Sequence, residues 1–196
     1  MQNIAITGLM TSGKTTLARD IADATDYEVI SFAGALKQFA ADGLNWGKPI
    51  EKSKTYTFVP YGADENLILS GREVLQRFGD AVKTIDTNFW TRLVLAQTMK
   101  NPTKGYIIDD LRYHFEEYTL KDMGWKIVRI NTSEDIRMQR YTNLYGRTPT
   151  AAEMNHSSEQ QILEIAHDIE IDGTADRSAN AASVMKSLGI LARLMY

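Results

Sequence analysis

The sequence predicts an α/β fold, a three-layer sandwich in which helices cover both faces of a central parallel sheet. Three observations carry that expectation. Short β-branched runs alternate with helical stretches along the chain, the order that builds parallel sheets. The first run passes directly into Gly8-Leu9-Met10-Thr11-Ser12-Gly13-Lys14-Thr15, which has the G-x-x-x-x-G-K-[ST] spacing of a phosphate-binding loop, or P-loop. An apolar-periodic stretch (Leu17, Ala18, Ile21, Ala22) follows at once, completing the strand–loop–helix context that such a loop needs. At 196 residues a single domain over 1–196 is the natural size.

Strands are expected over 3–7, 28–32 (EVISF), 105–109 (GYIID), 126–131 (KIVRIN) and 168–172 (DIEID). Helices are expected over 14–24, 34–42, 71–81, 89–99, 114–123, 133–142, 158–166 and 175–195. Thr132-Ser133, with Glu134 and Asp135 in the first turn, marks one helix start. Ser157 and Gln160 have capping-box spacing for the next helix, and Thr174 is placed to cap the last. Two segments break the alternation. Residues 43–70 read as an irregular excursion on the substrate side, and 142–157, with Gly146 and Pro149, as a mobile lid. In such a sheet the ligand site lies beyond the carboxyl ends of the strands.

Composition sets the environment. Cysteine is absent, which excludes disulfides and thiolate metal sites. No basic-then-apolar leader opens the sequence and no apolar run reaches membrane-spanning length, so a cytoplasmic protein without membrane contact is expected. A net charge of −3 and a pI near 5.7 argue against nucleic acid as a main partner.

The P-loop spacing has a definite chemistry. Its glycines let successive N–H groups face a phosphate, and the helix opening at Lys14 adds its positive end. Lys14 is expected on the β- and γ-phosphates of ATP, and the Thr15 hydroxyl on Mg²⁺. Neither the Asp-x-x-Gly switch nor the Asn/Thr-Lys-x-Asp guanine reader of GTPases occurs. A small kinase fits what remains. Arg112 follows the strand end Ile107-Ile108-Asp109-Asp110, Arg137 and Arg140 share one helix face, and Arg147 lies in the lid.

Five stretches resemble the deoxynucleoside monophosphate kinases of tailed bacteriophages, relatives of adenylate kinase. They are GLMTSGKTT at 8–16, SFAGALKQFA at 31–40, GREVLQRFGD at 71–80 with NFW at 88–90, YIIDDLRYHFEE at 106–117, and HSSE at 156–159. The resemblance implies a nucleoside monophosphate kinase-like fold with a small lid. The implied reaction transfers the ATP γ-phosphoryl to a deoxynucleoside monophosphate, with Mg²⁺ held by Thr15 and by Asp110 or its neighbour Asp109. An acceptor phosphate is already an oxyanion, so positioning and charge neutralisation suffice without a general base.

The resemblance also assigns residues. Gly8, Thr11, Ser12, Gly13, Lys14, Thr15, Thr16, Arg137 and Gly173 bind ATP. Lys14, Arg112, Arg137 and Arg140 act on the transferring phosphoryl group. Lys37, Arg72, Gln76, Trp90, Asp110 and Arg112 hold the acceptor. Glu159 stands as an arginine-orienting carboxylate, while His156 is a loop histidine of no assigned role. Asp80 and Lys83 stand where the family often has threonine and arginine, and lysine lacks the guanidinium fork. Other readings stay open: phosphomevalonate or hydroxymethyluracil in DNA as acceptor, or a non-catalytic nucleotide-binding module. A homodimer is also left open.

Overall fold

The computed structural model describes residues 1–44, 47–52, 54–59 and 65–193. Parts of the expected excursion (45–46, 53 and 60–64) and the end of the expected last helix (194–196) lie outside them. The chain forms two compact units, residues 1–31 with 95–196, and residues 32–94.

The first unit holds a five-stranded parallel sheet of order β2-β5-β1-β6-β7. Its strands are β1 (Ile4–Thr7), β2 (Glu28–Ile30), β5 (Tyr106–Ile108), β6 (Lys126–Asn131) and β7 (Ile169–Asp172). Ile4, Ala5 and Ile6 of the central strand are fully buried, as a strand covered on both faces requires. Ile6 pairs with Val128 and Ile4 with Ile107, so the P-loop emerges between the ends of β5 and β6. Helices α1 (Lys14–Ala24) and α9 (Arg177–Ser187) bury Leu17, Ala18, Ile21, Val184 and Met185 in the core beside β1 and β6. The remaining helices of this unit are α5 (His114–Asp122), α6 (Glu134–Tyr145), α7 (Ala151–Met154) and α8 (Ser157–Ile162).

The second unit contains α2 (Phe32–Gly43), the antiparallel pair β3 (Thr55–Phe58) and β4 (Leu67–Ser70), α3 (Gly71–Ile85) and the start of α4 (Phe89–Met99). Its core is Ala40, Ile50, Leu69, Val74 and Leu75, with Tyr56 and Phe58 packed against it. The excursion expected to be irregular thus carries two strands, because alternate residues of Thr55–Phe58 meet an apolar core. Ser70 and Glu73 close a reciprocal capping box at the start of α3. Gly71 is required there, since a Cβ would lie 2.0 Å from the Glu51 carbonyl oxygen.

Helix ends differ from expectation for local reasons. α9 stops at Ser187, not 195, because Gly189 (φ 63°) closes a Schellman turn. In it the Ile190 amide donates to the Met185 carbonyl and the Gly189 amide to the Lys186 carbonyl. Asp176, not Thr174, caps α9, while Asp172 accepts from the Thr174 amide and hydroxyl. α8 ends at Ile162, where Arg129 Nη2 donates to the carbonyls of Ile162, Leu163 and Ile165. The Ser157–Gln160 capping box does not form; His156 Nδ1 accepts from the Ser158 amide instead.

The expected lid is folded on itself. α6 runs on to Tyr145 and ends at Gly146 in the left-handed conformation. Thr150 and Glu153 form a capping box on α7. Arg147 grips Glu153 with both terminal nitrogens, at 2.8 Å each, and lies over the Tyr141 ring. That fork holds the Glu153 carboxyl well below the usual carboxylate range.

His114 joins α5 to the end of α8, its ring 3.2 Å from Glu117 and 3.3 Å from Glu164. The Glu117 hydrogen bond raises the imidazole pKa above its ordinary 6.5. A raised folded-state value stabilises the fold fully below the unfolded pKa and loses that effect as pH climbs through the folded value. The unfolding free energy from urea denaturation should therefore fall as pH rises above about 6.5, by under about 1 kcal/mol for so exposed a group. His114→Gln should flatten that slope, and an unchanged slope would remove the contact from the stability of α5.

Candidate active site

Four strands of the first unit deliver their carboxyl ends to one cavity of about 750 Å³. β1 supplies the P-loop, β5 supplies Asp109 and Asp110, β6 leads to Thr132, and β7 leads to Gly173. The lining includes Met10 to Leu17, Asp109, Asp110, Arg112, Arg140, Tyr141, Tyr145, Gly173 and Asn180.

The loop takes its shape from backbone angles that few residues tolerate. Gly8 (φ 147°) and Gly13 (φ 109°) are left-handed, and so is Thr11 (φ 56°), the sole non-glycine case among the described residues. A Cβ on Gly8 would sit 2.7 Å from the Ile130 carbonyl oxygen. The Thr11 hydroxyl lies 2.7 Å from the carbonyls of Arg137 and of Met10, a local bond that offsets the strain of its conformation.

Lys14 is 8 % exposed, and its Nζ donates to the Gly8 carbonyl at 2.5 Å and the Leu9 carbonyl at 2.9 Å. Burial, and then the nearby Arg112 guanidinium, lower its pKa to about 8, against the opposing pull of Glu159, Asp109 and Asp110. The Thr15 hydroxyl donates to Asp109 Oδ2 at 2.7 Å. The two aspartates left open by sequence thus separate, and Asp109 rather than Asp110 meets the threonine, while both line the cavity. A hydroxyl and a carboxylate of this kind are hard oxygen ligands that fit Mg²⁺, with phosphates and waters left to complete its shell.

Arg112 is tethered at one corner. Its Nη1 donates to Glu159 Oε1 at 2.7 Å and to Ser158 Oγ at 3.3 Å. Nε and Nη2 have no hydrogen-bond partner among the described residues. Glu159 is 4 % exposed, and its other oxygen accepts the Met10 amide of the P-loop at 2.8 Å.

The two arginines of α6, expected together on the donor phosphates, have different partners. Three positions place them about 60° apart around a helix. Arg137 is buried, donates Nε to the Thr132 carbonyl, and is not part of the cavity lining. Arg140 does line the cavity, yet its fork already bridges the Ser12 carbonyl (3.1 Å) and the Gly173 carbonyl (2.8 Å). Thr132 adds its hydroxyl to the same Ser12 carbonyl at 3.1 Å. Arg147 is held by Glu153, as described above. Gly173 fits only as glycine, since a Cβ would lie 2.0 Å from Thr132 Oγ1 and 2.9 Å from the Ser12 carbonyl oxygen.

Of the residues expected on the acceptor, Lys37, Arg72, Gln76 and Trp90 belong to the second unit. Arg72 and Gln76 share an exposed face of α3, and Lys37 is half-buried on α2. Trp90 is a core residue, 4 % exposed, with its indole N–H directed at the Gly79 carbonyl and its ring edge-on to Phe39 and Phe89. That packing removes it as a contact for an acceptor in this conformation. Sequence reasoning missed Thr132, Ser158, Tyr141, Tyr145 and Asn180. The one available signal was the i, i+4 spacing of the two tyrosines on α6.

A family profile described as AAA domain matches residues 4–164. The chain belongs to that family. The match runs from β1 to just beyond α8, and so takes in the P-loop, Arg112, Arg140 and Glu159. No curated protein matches the sequence. Among solved structures, this AAA domain protein is similar to an unliganded sugar kinase from Janibacter sp. HTCC2649, at 13% identity over 97% of this chain and 95% of that one, with a TM-score of 0.59. It is also similar to shikimate kinase from Aquifex aeolicus, at 13% identity over 96% of each chain and a TM-score of 0.59. A gluconokinase from Sinorhizobium meliloti 1021 aligns at 15% identity over 96% of this chain and 95% of that one, with a TM-score of 0.52. The fold is therefore a P-loop kinase fold.

Two substitutions test the site. Lys14→Ala should cut turnover at least about 100-fold while leaving the circular dichroism spectrum unchanged. Gly173→Ala should weaken ATP binding at least about tenfold and lower stability by about 1–3 kcal/mol, read by calorimetry and urea denaturation. Wild-type ATP affinity in the second variant would show that the Gly173 turn yields without disturbing the P-loop.

Proposed function

We propose that the protein is an ATP-dependent kinase whose acceptor is a deoxynucleoside monophosphate. One observation carries the choice of a phosphate acceptor: Arg112 faces the cavity beside Lys14 with Nε and Nη2 unspent. A planar guanidinium edge grips two oxygens of one phosphate. Together with Lys14 it would neutralise charge on the group in transit.

In this reading ATP lies in the cavity with its phosphates on the amides of residues 11–16. Thr15, with Asp109 beside it, would hold Mg²⁺, whose charge would offset that of the donor phosphates. Lys14 leaves the Gly8 and Leu9 carbonyls for the β- and γ-phosphates. Arg140 keeps its bridge between Ser12 and Gly173 and so fixes the loop beneath the nucleotide. Arg112 receives the acceptor phosphate and aligns its oxygen with the γ-phosphorus. Arg72, Gln76 and Lys37 keep the acceptor role that the resemblance implies. The 142–157 segment acts as lid, and Arg147 exchanges Glu153 for phosphate as it closes.

A hydroxyl acceptor is the second reading, favoured by the sugar, gluconate and shikimate kinases that share the fold. It would use Asp110, which lines the cavity, as general base.

The deciding experiment is ADP release from MgATP against deoxy- and ribonucleoside monophosphates, phosphomevalonate, gluconate, shikimate and DNA containing hydroxymethyluracil. Turnover with one or more deoxynucleotides is expected. Turnover confined to gluconate or shikimate would transfer the site to hydroxyl chemistry, and none with any acceptor would leave a nucleotide-binding module.

A further inference from the structure

We infer that Glu159 is a positioning residue that joins the acceptor-side arginine to the donor loop, so that the two halves of the reaction centre move as one body. The inference rests on the reading of Arg112 as the residue that meets the acceptor. Its basis is a single buried carboxylate with its two oxygens committed to different partners. Oε1 accepts from Arg112 Nη1 at 2.7 Å, and Oε2 accepts the Met10 amide of the P-loop at 2.8 Å. The bond to Met10 spans 149 positions of sequence.

The chemistry of the surroundings suits a brace. Burial and the nearby Arg112 guanidinium disfavour the charge of Lys14, and Glu159 opposes them there. At 4 % exposure the carboxylate is weakly screened, so its bonds to a guanidinium and an amide are firm and directional. Ser158 Oγ, 3.3 Å from the same Arg112 nitrogen, narrows the arginine further. The tether takes Nη1 and leaves Nε and Nη2 of a residue that lines the cavity. Arg112 cannot then swing without pulling on Met10, and the loop cannot shift without carrying Arg112. Glu159 itself is not part of the cavity lining. It acts by tying Arg112 to the loop, so its effect on turnover passes through that arginine, and its removal should affect alignment more than nucleotide affinity.

The test is a double-mutant cycle of Glu159→Gln and Arg112→Ala, with MgATP affinity measured by calorimetry and turnover with whichever acceptor the panel yields, water included. Glu159→Gln should lower kcat about 10- to 100-fold, the scale of a misplacement near 1 Å. MgATP affinity should stay within about threefold of wild type, because the loop amides and Lys14 remain. The double variant should lose no more kcat than Arg112→Ala alone, since both act through one arginine. Glu159→Asp, which keeps the charge but shortens the reach, should recover less than half of the lost turnover.

Losses that multiply in the double variant would overturn the inference, as would kcat within twofold of wild type in Glu159→Gln. A parallel fall of ATP affinity, kcat and melting temperature would reduce Glu159 to a fold-stabilising residue and overturn it equally. The same cycle run on urea denaturation needs no acceptor: additive losses overturn the brace, and coupled losses support it only where MgATP affinity stays within about threefold of wild type. Failure of the deoxynucleotide reading would show in the acceptor panel, whereas failure of the brace would show only in the cycle.

Discussion

Turning the amides of a P-loop inward, toward a phosphate, leaves other backbone groups of the same loop pointing away from it, and each of those needs a partner in a nearly dry place. The molecule meets that demand from four directions. The Gly8 and Leu9 carbonyls take Lys14, the Ser12 carbonyl takes Thr132 and Arg140, the Met10 amide takes Glu159, and the Gly13 carbonyl takes the amide of Leu17. Much of the first unit can be understood as the means of bringing those partners to residues 8–13. The parallel sheet delivers Thr132 and Gly173 from the ends of β6 and β7. α6 and α8 deliver Arg140 and Glu159. Where space runs out, glycine is required, at Gly8 against Ile130 and at Gly173 against Thr132.

The sheet and its order of elements were legible in the sequence because short buried strands and a P-loop leave strong local signals. All five expected strands lie in one sheet, with ends shifted by no more than two residues. The choice between Asp109 and Asp110 was not legible. Both lie past the end of β5 and both line the cavity, so which of them meets Thr15 depends on the turn the chain takes there, and spacing alone does not give that turn. The roles of Arg137 and Arg140 were hidden for a related reason. Helical spacing says that two residues share a face, but not which backbone carbonyls that face meets. Trp90 looked like a binding residue only by resemblance, and its packing against Phe39, Phe89 and the Gly79 carbonyl is tertiary. The box Thr150-x-x-Glu153 was a readable signal that the lid has a helix of its own.

The fold is common to kinases whose acceptors have little in common, which separates two questions that a P-loop tends to merge. Holding the donor is a property of backbone and glycine, and it is largely independent of what receives the phosphoryl group. Choice of acceptor depends on a few side chains facing the donor. The proposed function gives that position to Arg112, part of whose fork is fixed by Glu159 and Ser158.

The P-loop precedes by more than 100 residues the groups that complete it, at Thr132, Arg140, Glu159 and Gly173. A ribosome releases the loop first and its partners last. Until about residue 173 has emerged, the loop has carbonyls and an amide without their protein partners, and the turn that closes the cavity does not exist. The protein partners of the loop are therefore complete only once residue 173 has been made.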